Sequence, residues 1–275
     1  MKLIHLLFFS LIILRSPVCF GKATSDDFVH FNGLQELLDA HRDEVLREIL
    51  MEKKGNFLNG FTIVAIDGAA GSGKTSTAKK VAQECHFAFV STGDHYRTMA
   101  RYFLDHRIAP SDHSSIASAL SKLHPTTRMD GNCARLCIGE VIANEADLHN
   151  GEINSVVADY AQDPSLRTFL HAYQRQLPAV IRSISLGGMV IEGRDVTSVV
   201  FPNATLRLFL RADLGERRRR RLEEGIGDDV ESRDAKDHLQ LQCVDGVLLI
   251  DSTQLSLEEV VLVILKKIDE LPSHG

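Results

Sequence analysis

The run Gly68-Ala69-Ala70-Gly71-Ser72-Gly73-Lys74-Thr75 matches the pattern G-x-x-x-x-G-K-[ST] at every fixed position. The chemistry that spacing supports is phosphate handling. Glycines let the backbone curl so that successive N–H groups face phosphate oxygens. The start of the helix that follows adds partial positive charge. Lys74 is of the length to reach β- and γ-phosphates, and the Thr75 hydroxyl can ligate Mg²⁺. Residues 68–76, Ser76 included, are therefore the expected cradle for the phosphates of a nucleotide with Mg²⁺.

Four further clusters carry chemistry-bearing side chains. They are Ser91-Thr92-Gly93-Asp94-His95-Tyr96-Arg97, Glu192-Gly193-Arg194-Asp195, the basic run Arg217 to Arg221, and Arg233-Asp234-Ala235-Lys236-Asp237. Arginine binds phosphate through two parallel donors, and a carboxylate accepts from amines. Asp195 reads as such an acceptor, with an ion pair to Arg194 as its competing role. For Arg97 the competing role is a surface salt bridge, which is worth little. Tyr96 stands near a helix start and could equally be a core aromatic. Successive helical residues rotate by about 100°, so five arginines in a row cannot all face one ligand. Arg217 and Arg220, three apart, share a side, and the others read as a solvated face. Glu192 ends the apolar run Met189-Val190-Ile191, where a carboxylate can hold Mg²⁺ through water.

The elements that must position these groups alternate between strand and helix patterns. Strands are expected at Phe61 to Ile66, Ala88 to Val90, Met189 to Ile191, Leu206 to Leu210 and Val247 to Ile250. A small hairpin is expected from Arg135 to Ile138 with Val141 to Ala143. Helices are expected over Ser76 to Cys85 and Tyr96 to Leu104. Another starts at Asp163-Pro164 and ends near Ser185 before Gly187-Gly188. Asp213 with Glu216 caps the arginine-rich helix, and Ser256 with Glu259 forms a capping box for a last helix bearing Val260, Ile264 and Ile268. Such alternation predicts a parallel sheet with helices on both faces.

Composition narrows the function classes. The chain has 275 residues, 44% hydrophobic and 25% charged, which suits one or two domains with a real core. The formal net charge is −6 and Trp is absent, which argues against nucleic-acid binding and single-strand stacking platforms. The five cysteines, Cys19, Cys85, Cys133, Cys137 and Cys243, are irregularly spaced and lack a second Cys/His pair for zinc, so they read as reduced thiols. Lys2 precedes an apolar stretch from Leu3 to Leu14, and residues 1–21 read as a signal-like leader too short for a good membrane span. Residues 22–60 read as a helical extension, with Leu34, Leu38, Val45 and Ile49 on one face. A cytoplasmic location is expected, with Met51 as an alternative start; export is the alternative if the leader is genuine.

Taken in order, the clusters resemble a known family, the bacterial-type cytidylate (CMP/dCMP) kinases. The resemblance rests on Ile66-Asp67-Gly68 with the glycine loop, Ser91-Thr92-Gly93 with Tyr96-Arg97, and Gly193-Arg194-Asp195 followed by Val199-Val200-Phe201-Pro202. It rests also on Arg233-Asp234 with Asp237, and on Asp251-Ser252-Thr253 with Leu255-Ser256. It implies an α/β fold of P-loop NTPase type, three-layer αβα with a central parallel sheet. The expected domain spans 61–275, with a monophosphate-binding insert at about 110–185 and a short lid at about 214–240. It implies phosphoryl transfer from ATP to CMP or dCMP with Mg²⁺, by a chain that is monomeric. Thr92, Tyr96, Arg97, Arg167, Arg194 and Asp195 would line the acceptor site, with Arg233 and Asp237 contributing from the lid. Lys74, Arg194, Arg217, Arg220 and Arg233 would neutralise charge on the transferring group, and Thr75 and Glu192 would attend the metal.

Some residues depart from the family pattern. Ser91 stands where the family has Asp, Ala158 replaces a hydroxyl residue that helps hold cytosine, Gln240 replaces a lid arginine, and the lid is short. These gaps leave two alternatives open: a monophosphate kinase with shifted base specificity, and a nucleotide-binding relative without useful catalysis. A GTP switch and a transport ATPase are disfavoured, because N-K-x-D and L-S-G-G-Q runs are absent.

Overall fold

The computed structural model describes residues 60–139, 145–223 and 244–271. The leader, nearly all of the extension, Val141 to Ala143, and the lid residues Arg233, Asp237 and Gln240 lie outside the described residues. The apolar run before the glycine loop forms β1 (Thr62–Gly68), buried from Val64 onward. A strand buried on both faces needs continuous apolar character, and this one occupies an interior position of the sheet. It pairs in parallel with β5 (Gly188–Gly193) and β6 (Leu206–Arg211). With β2 (Ala88–Ser91), β3 (Pro125–Asp130), β4 (Cys133–Ile138) and β7 (Leu248–Asp251), the sheet has seven strands in the order β3-β4-β2-β5-β1-β6-β7.

The hairpin corrects the sequence expectation. Strand β4 pairs with the segment before it, antiparallel from Pro125↔Ile138 to Asp130↔Cys133. Among the described strand pairs, this one alone is antiparallel. The physical reason for the miss is composition. Strand β3 reads Pro-Thr-Thr-Arg-Met-Asp and sits at the sheet edge with every second residue exposed, so it lacks an apolar run. The hairpin falls within the expected insert, and through β4 it extends the main sheet beside β2.

Alternate residues of β1 feed two cores, as strand geometry requires. Val64 and Ile66 pack with α1 (Lys74–Cys85) and α8 (Leu257–Asp269), through Ala78, Val81, Ile264 and Leu265. Ala65 faces the other layer, built from Met99 and Phe103 of α2 (Thr92–Asp105), Ile116 of α3 (His113–Leu120), Ile153 and Tyr160 of α5 (Gly151–Tyr160), and Leu166 to Ile181 of α6 (Pro164–Ser183). The short helix α4 (Glu145–Leu148) precedes α5, and the arginine-rich helix α7 (Leu214–Glu223) follows β6. Capping follows the sequence signals at α6 and α8, whereas ahead of α7 the Asp213 N–H donates to Thr253 Oγ1 at 3.0 Å and Glu216 accepts from Arg219 and Arg220 instead of completing a capping box. Asp163 accepts from Leu166 N at 2.9 Å ahead of Pro164. Ser256 and Glu259 complete a capping box at the start of α8.

Strand register brings the chemistry to one edge. Asp67 stands opposite Gly193, and Ser91 opposite Glu192, at the carboxyl ends of β1, β2 and β5. Beyond β5 a single π turn, Val196–Val200, carries the chain away. Asp67, fully buried, holds that turn: its carboxylate accepts from Val196 N at 2.9 Å, Thr197 N at 2.7 Å and Thr197 Oγ1 at 2.6 Å. Arg175 of α6 holds the far side, donating to the carbonyl of Val199 at 2.8 Å. The turn begins directly after Asp195, so these anchors fix that side chain.

Burial pushes the Asp67 carboxyl up to about 6, against the hydrogen bonds from Thr197 and Val196 and with the help of nearby Asp195. The folded value lies above the unfolded one, so between about pH 4 and 6 the folded chain binds the extra proton. Stability from this group is therefore present at low pH and lost as pH rises through about 6. The difference in unfolding free energy between the wild type and Asp67→Asn, by urea titration, is expected to move by about 1 kcal/mol in favour of the wild type from pH 7 to pH 5. A constant difference would contradict the burial of an acidic group there.

Candidate active site

The glycine loop is curled as its sequence requires, with Gly71 at φ +72° and Gly73 at φ +86°. A Cβ on Gly71 would also lie 2.7 Å from the Arg217 carbonyl, so helix α7 lies against the loop only because that residue is glycine. Helix α1 starts with no side-chain cap and no acidic residue in its first turn. Its first N–H groups and the positive end of its dipole are thus left for an anion. Within the loop the Ser72 hydroxyl is buried with no hydrogen-bond partner among the described residues. Lys74, 8% exposed, folds back to donate to Ala69 O at 2.8 Å. Thr75 and Ser76 are exposed at the helix start.

The arginine-rich helix sorts its side chains as rotation demands. Arg217 donates to Ala70 O at 3.1 Å, and Arg220 to Ser252 O at 2.6 Å and Ser72 O at 3.5 Å. Both residues selected by spacing therefore reach the loop, where they hold its carbonyls. Arg219 points elsewhere, to Glu216 at 2.7 Å and to Glu223.

Beside the loop, Thr75 Oγ1 donates to Glu192 Oε1 at 3.2 Å and Ser91 Oγ to the same oxygen at 2.8 Å. Three residues from three separate elements thus meet at a cluster of hard oxygen donors. Ser91 also caps α2, accepting from Asp94 N at 3.3 Å. A serine at this position is therefore used twice.

The acceptor residues gather at the ends of β2 and β5. Thr92 opens α2, and a Cβ on Gly193 would collide with its hydroxyl. Arg97 folds back over Gly93, whose missing side chain makes the room: a Cβ there would lie 2.9 Å from Arg97 Nη1. Arg97 Nη1 is 3.7 Å from Asp94, which also accepts from His149 Nε2 at 2.9 Å. Burial raises the Asp94 carboxyl, but the His149 hydrogen bond and the Arg97 charge outweigh it and leave the group below its usual range. Tyr96 is half-buried in the same turn. Arg194 reaches toward Gly68 O at 3.4 Å, linking the loop to this corner.

Asp195 is 6% exposed, and its partner is Arg167 of α6, with Nη2 at 2.5 Å from Oδ2. The competing ion pair foreseen with Arg194 is replaced by this one. His171, one turn along α6, places Nε2 3.3 Å from the same oxygen. Burial raises the Asp195 carboxyl, yet His171 and Arg167 together hold it below the usual range, so it is ionised. Ala158 is half-buried on α5.

Sequence reasoning missed His171, the anchoring by Asp67, and the reach of His149 to Asp94. Only the first left a usable signal: Arg167 and His171 are four apart on one helix, and such pairs share a face.

A cytidylate kinase family model matches residues 64–270. The cytidylate kinase of Salinibacter ruber is 30% identical over 228 residues, which cover 78% of this chain and 99% of that one. Those of Listeria monocytogenes and Geobacter sp. are each 33% identical, over 213 and 230 residues, covering 72% and 78% of this chain and 91% and 95% of theirs. A phosphate loop, an oxygen cluster beside it and a buried acid next to an arginine, joined to a family match over most of the chain, lead to one conclusion: the chain belongs to the cytidylate kinase family.

Proposed function

We propose that this protein transfers the γ-phosphoryl group of ATP to CMP or dCMP, giving ADP and CDP or dCDP. The observation that carries the reading is Asp195: a buried, ionised carboxylate beside Arg167, at the same sheet edge as the phosphate loop. An ionised carboxylate accepts from the cytosine amine and repels the uracil carbonyl at the same position. Thr92, Tyr96, Arg97 and Arg194 bind the acceptor phosphate and sugar around it. Residues 68–76 hold ATP, with Lys74 and Arg194 neutralising charge on the transferring group. Arg217 and Arg220 serve the ATP side, and Arg233 and Asp237 join from the lid.

Mg²⁺ fits the oxygen cluster. It binds through one or two carboxylates together with substrate phosphates rather than through a full protein cage, and Thr75 with Glu192 supplies that kind of partial set. When bound with ATP it offsets negative charge on the phosphates. The acceptor phosphate oxygen is already largely ionised at neutral pH, so no side-chain base is required. The chain contributes positioning and charge, and lid closure excludes water. The protein acts as a monomer on small molecules in the cytoplasm. Among the described residues no helix is long and apolar enough to cross a membrane.

Coupled ADP release from ATP and Mg²⁺ tests the proposal, with CMP, dCMP, UMP and AMP as separate acceptors. The expected kcat/KM for CMP or dCMP exceeds that for UMP and AMP by about ten-fold or more. Equal use of all four nucleotides, or a preference for AMP, would contradict it.

A further inference from the structure

We propose that His171 is a second base-reading residue, donating from Nε2 to the ring nitrogen beside the amine that Asp195 receives. This rests on the acceptor site described under the proposed function. Arg167 and His171 stand four apart on α6, and both face Asp195. His171 is 9% exposed, and its Nε2 is buried without an aligned hydrogen bond among the described residues. The 3.3 Å approach to Asp195 Oδ2 helps hold that carboxyl ionised but falls short of full hydrogen-bond geometry. A buried polar atom left in this state calls for a partner that is absent from the chain itself. Both protein contacts of Asp195 fall on Oδ2, so Oδ1 takes no hydrogen bond among the described residues.

An acceptor, Asp195, and a donor, His171, therefore stand side by side between α6 and the end of β5. Cytosine offers the complement on adjacent atoms: the N4 amine donates and N3 accepts. Uracil offers the inverse, with O4 accepting and N3–H donating. The pair reads the order of donor and acceptor along the base edge, whereas Asp195 alone reads one atom.

The test compares His171→Leu and His171→Gln with the unaltered chain. It measures kcat/KM for CMP and UMP, and the dissociation constants of both by calorimetry without ATP. His171→Leu is expected to lower CMP binding and kcat/KM by about ten-fold or more, with UMP changed far less. His171→Gln keeps an N–H donor and is expected to recover part of the loss. Thermal unfolding of each variant accompanies the assay. A fall of equal size for CMP and UMP, or an unmoved ratio in His171→Leu, would overturn the role of His171 while leaving the kinase reading intact. If the unaltered chain neither binds nor phosphorylates CMP, the acceptor reading itself fails and this inference with it.

Discussion

Lys74→Ala is expected to lower kcat with CMP by about a thousand-fold, the scale seen when a preplaced charge-stabilising donor is removed. The ammonium is the cation nearest the curled loop, is 8% exposed, and is held in place by Ala69 O. Charge spreads over the γ-phosphoryl oxygens during transfer, and a fixed ammonium offsets it with little reorganisation. The hydrogen bond to the Ala69 carbonyl that disappears is worth about 1 kcal/mol to the fold. Steady-state kinetics at saturating ATP, beside a urea unfolding curve, separate the two effects. A variant that keeps most of its turnover would remove the loop from the chemistry.

The second large effect falls on selectivity. Asp195→Asn is expected to lower the CMP-to-UMP ratio of kcat/KM by about a hundred-fold. The amide can donate to uracil O4, which the carboxylate repels. It also leaves Arg167, now 2.5 Å from a carboxylate oxygen, without its charge partner. Part of the loss will therefore come from disorder around the pocket. The ratio isolates base reading from that general damage, because disorder lowers both acceptors. Because its neighbours hold Asp195 below the usual carboxylate range, the cytosine preference of the wild type is expected to persist down to about pH 5. A preference that fades between pH 7 and pH 6 would place the reading on another group.

Much of this site was legible because its groups are close in sequence. The loop from Gly68 to Thr75 is one contiguous run, and its strand and helix flanks carry strong periodicity. Helical rotation offers Arg217 and Arg220 as one same-side pair, and both reach the loop; Arg221, read as part of the solvated face, also lies against Gly71. Other features depend on strand order, which a single sequence does not display. Ser91 and Glu192 are adjacent because β2 pairs with β5, 101 residues apart in the chain. Asp67 reads as part of a motif, but its role as anchor of the π turn requires the neighbouring position of β5. Strand β3 was hidden by its polar edge character. The sequence offers Arg194, its neighbour in the chain, only as the competing partner of Asp195. Successive residues leaving a strand point to opposite sides, and the helix α6 fills the space beside Asp195 instead.

The most direct measurement follows the phosphorus atom. Incubation with ATP labelled at the γ-phosphate, Mg²⁺ and CMP, followed by separation of products, distinguishes transfer from hydrolysis. The account predicts label in CDP, with inorganic phosphate a small fraction and almost no label transferred in Lys74→Ala. Label found only in inorganic phosphate, or left in ATP under all four acceptors, would contradict it.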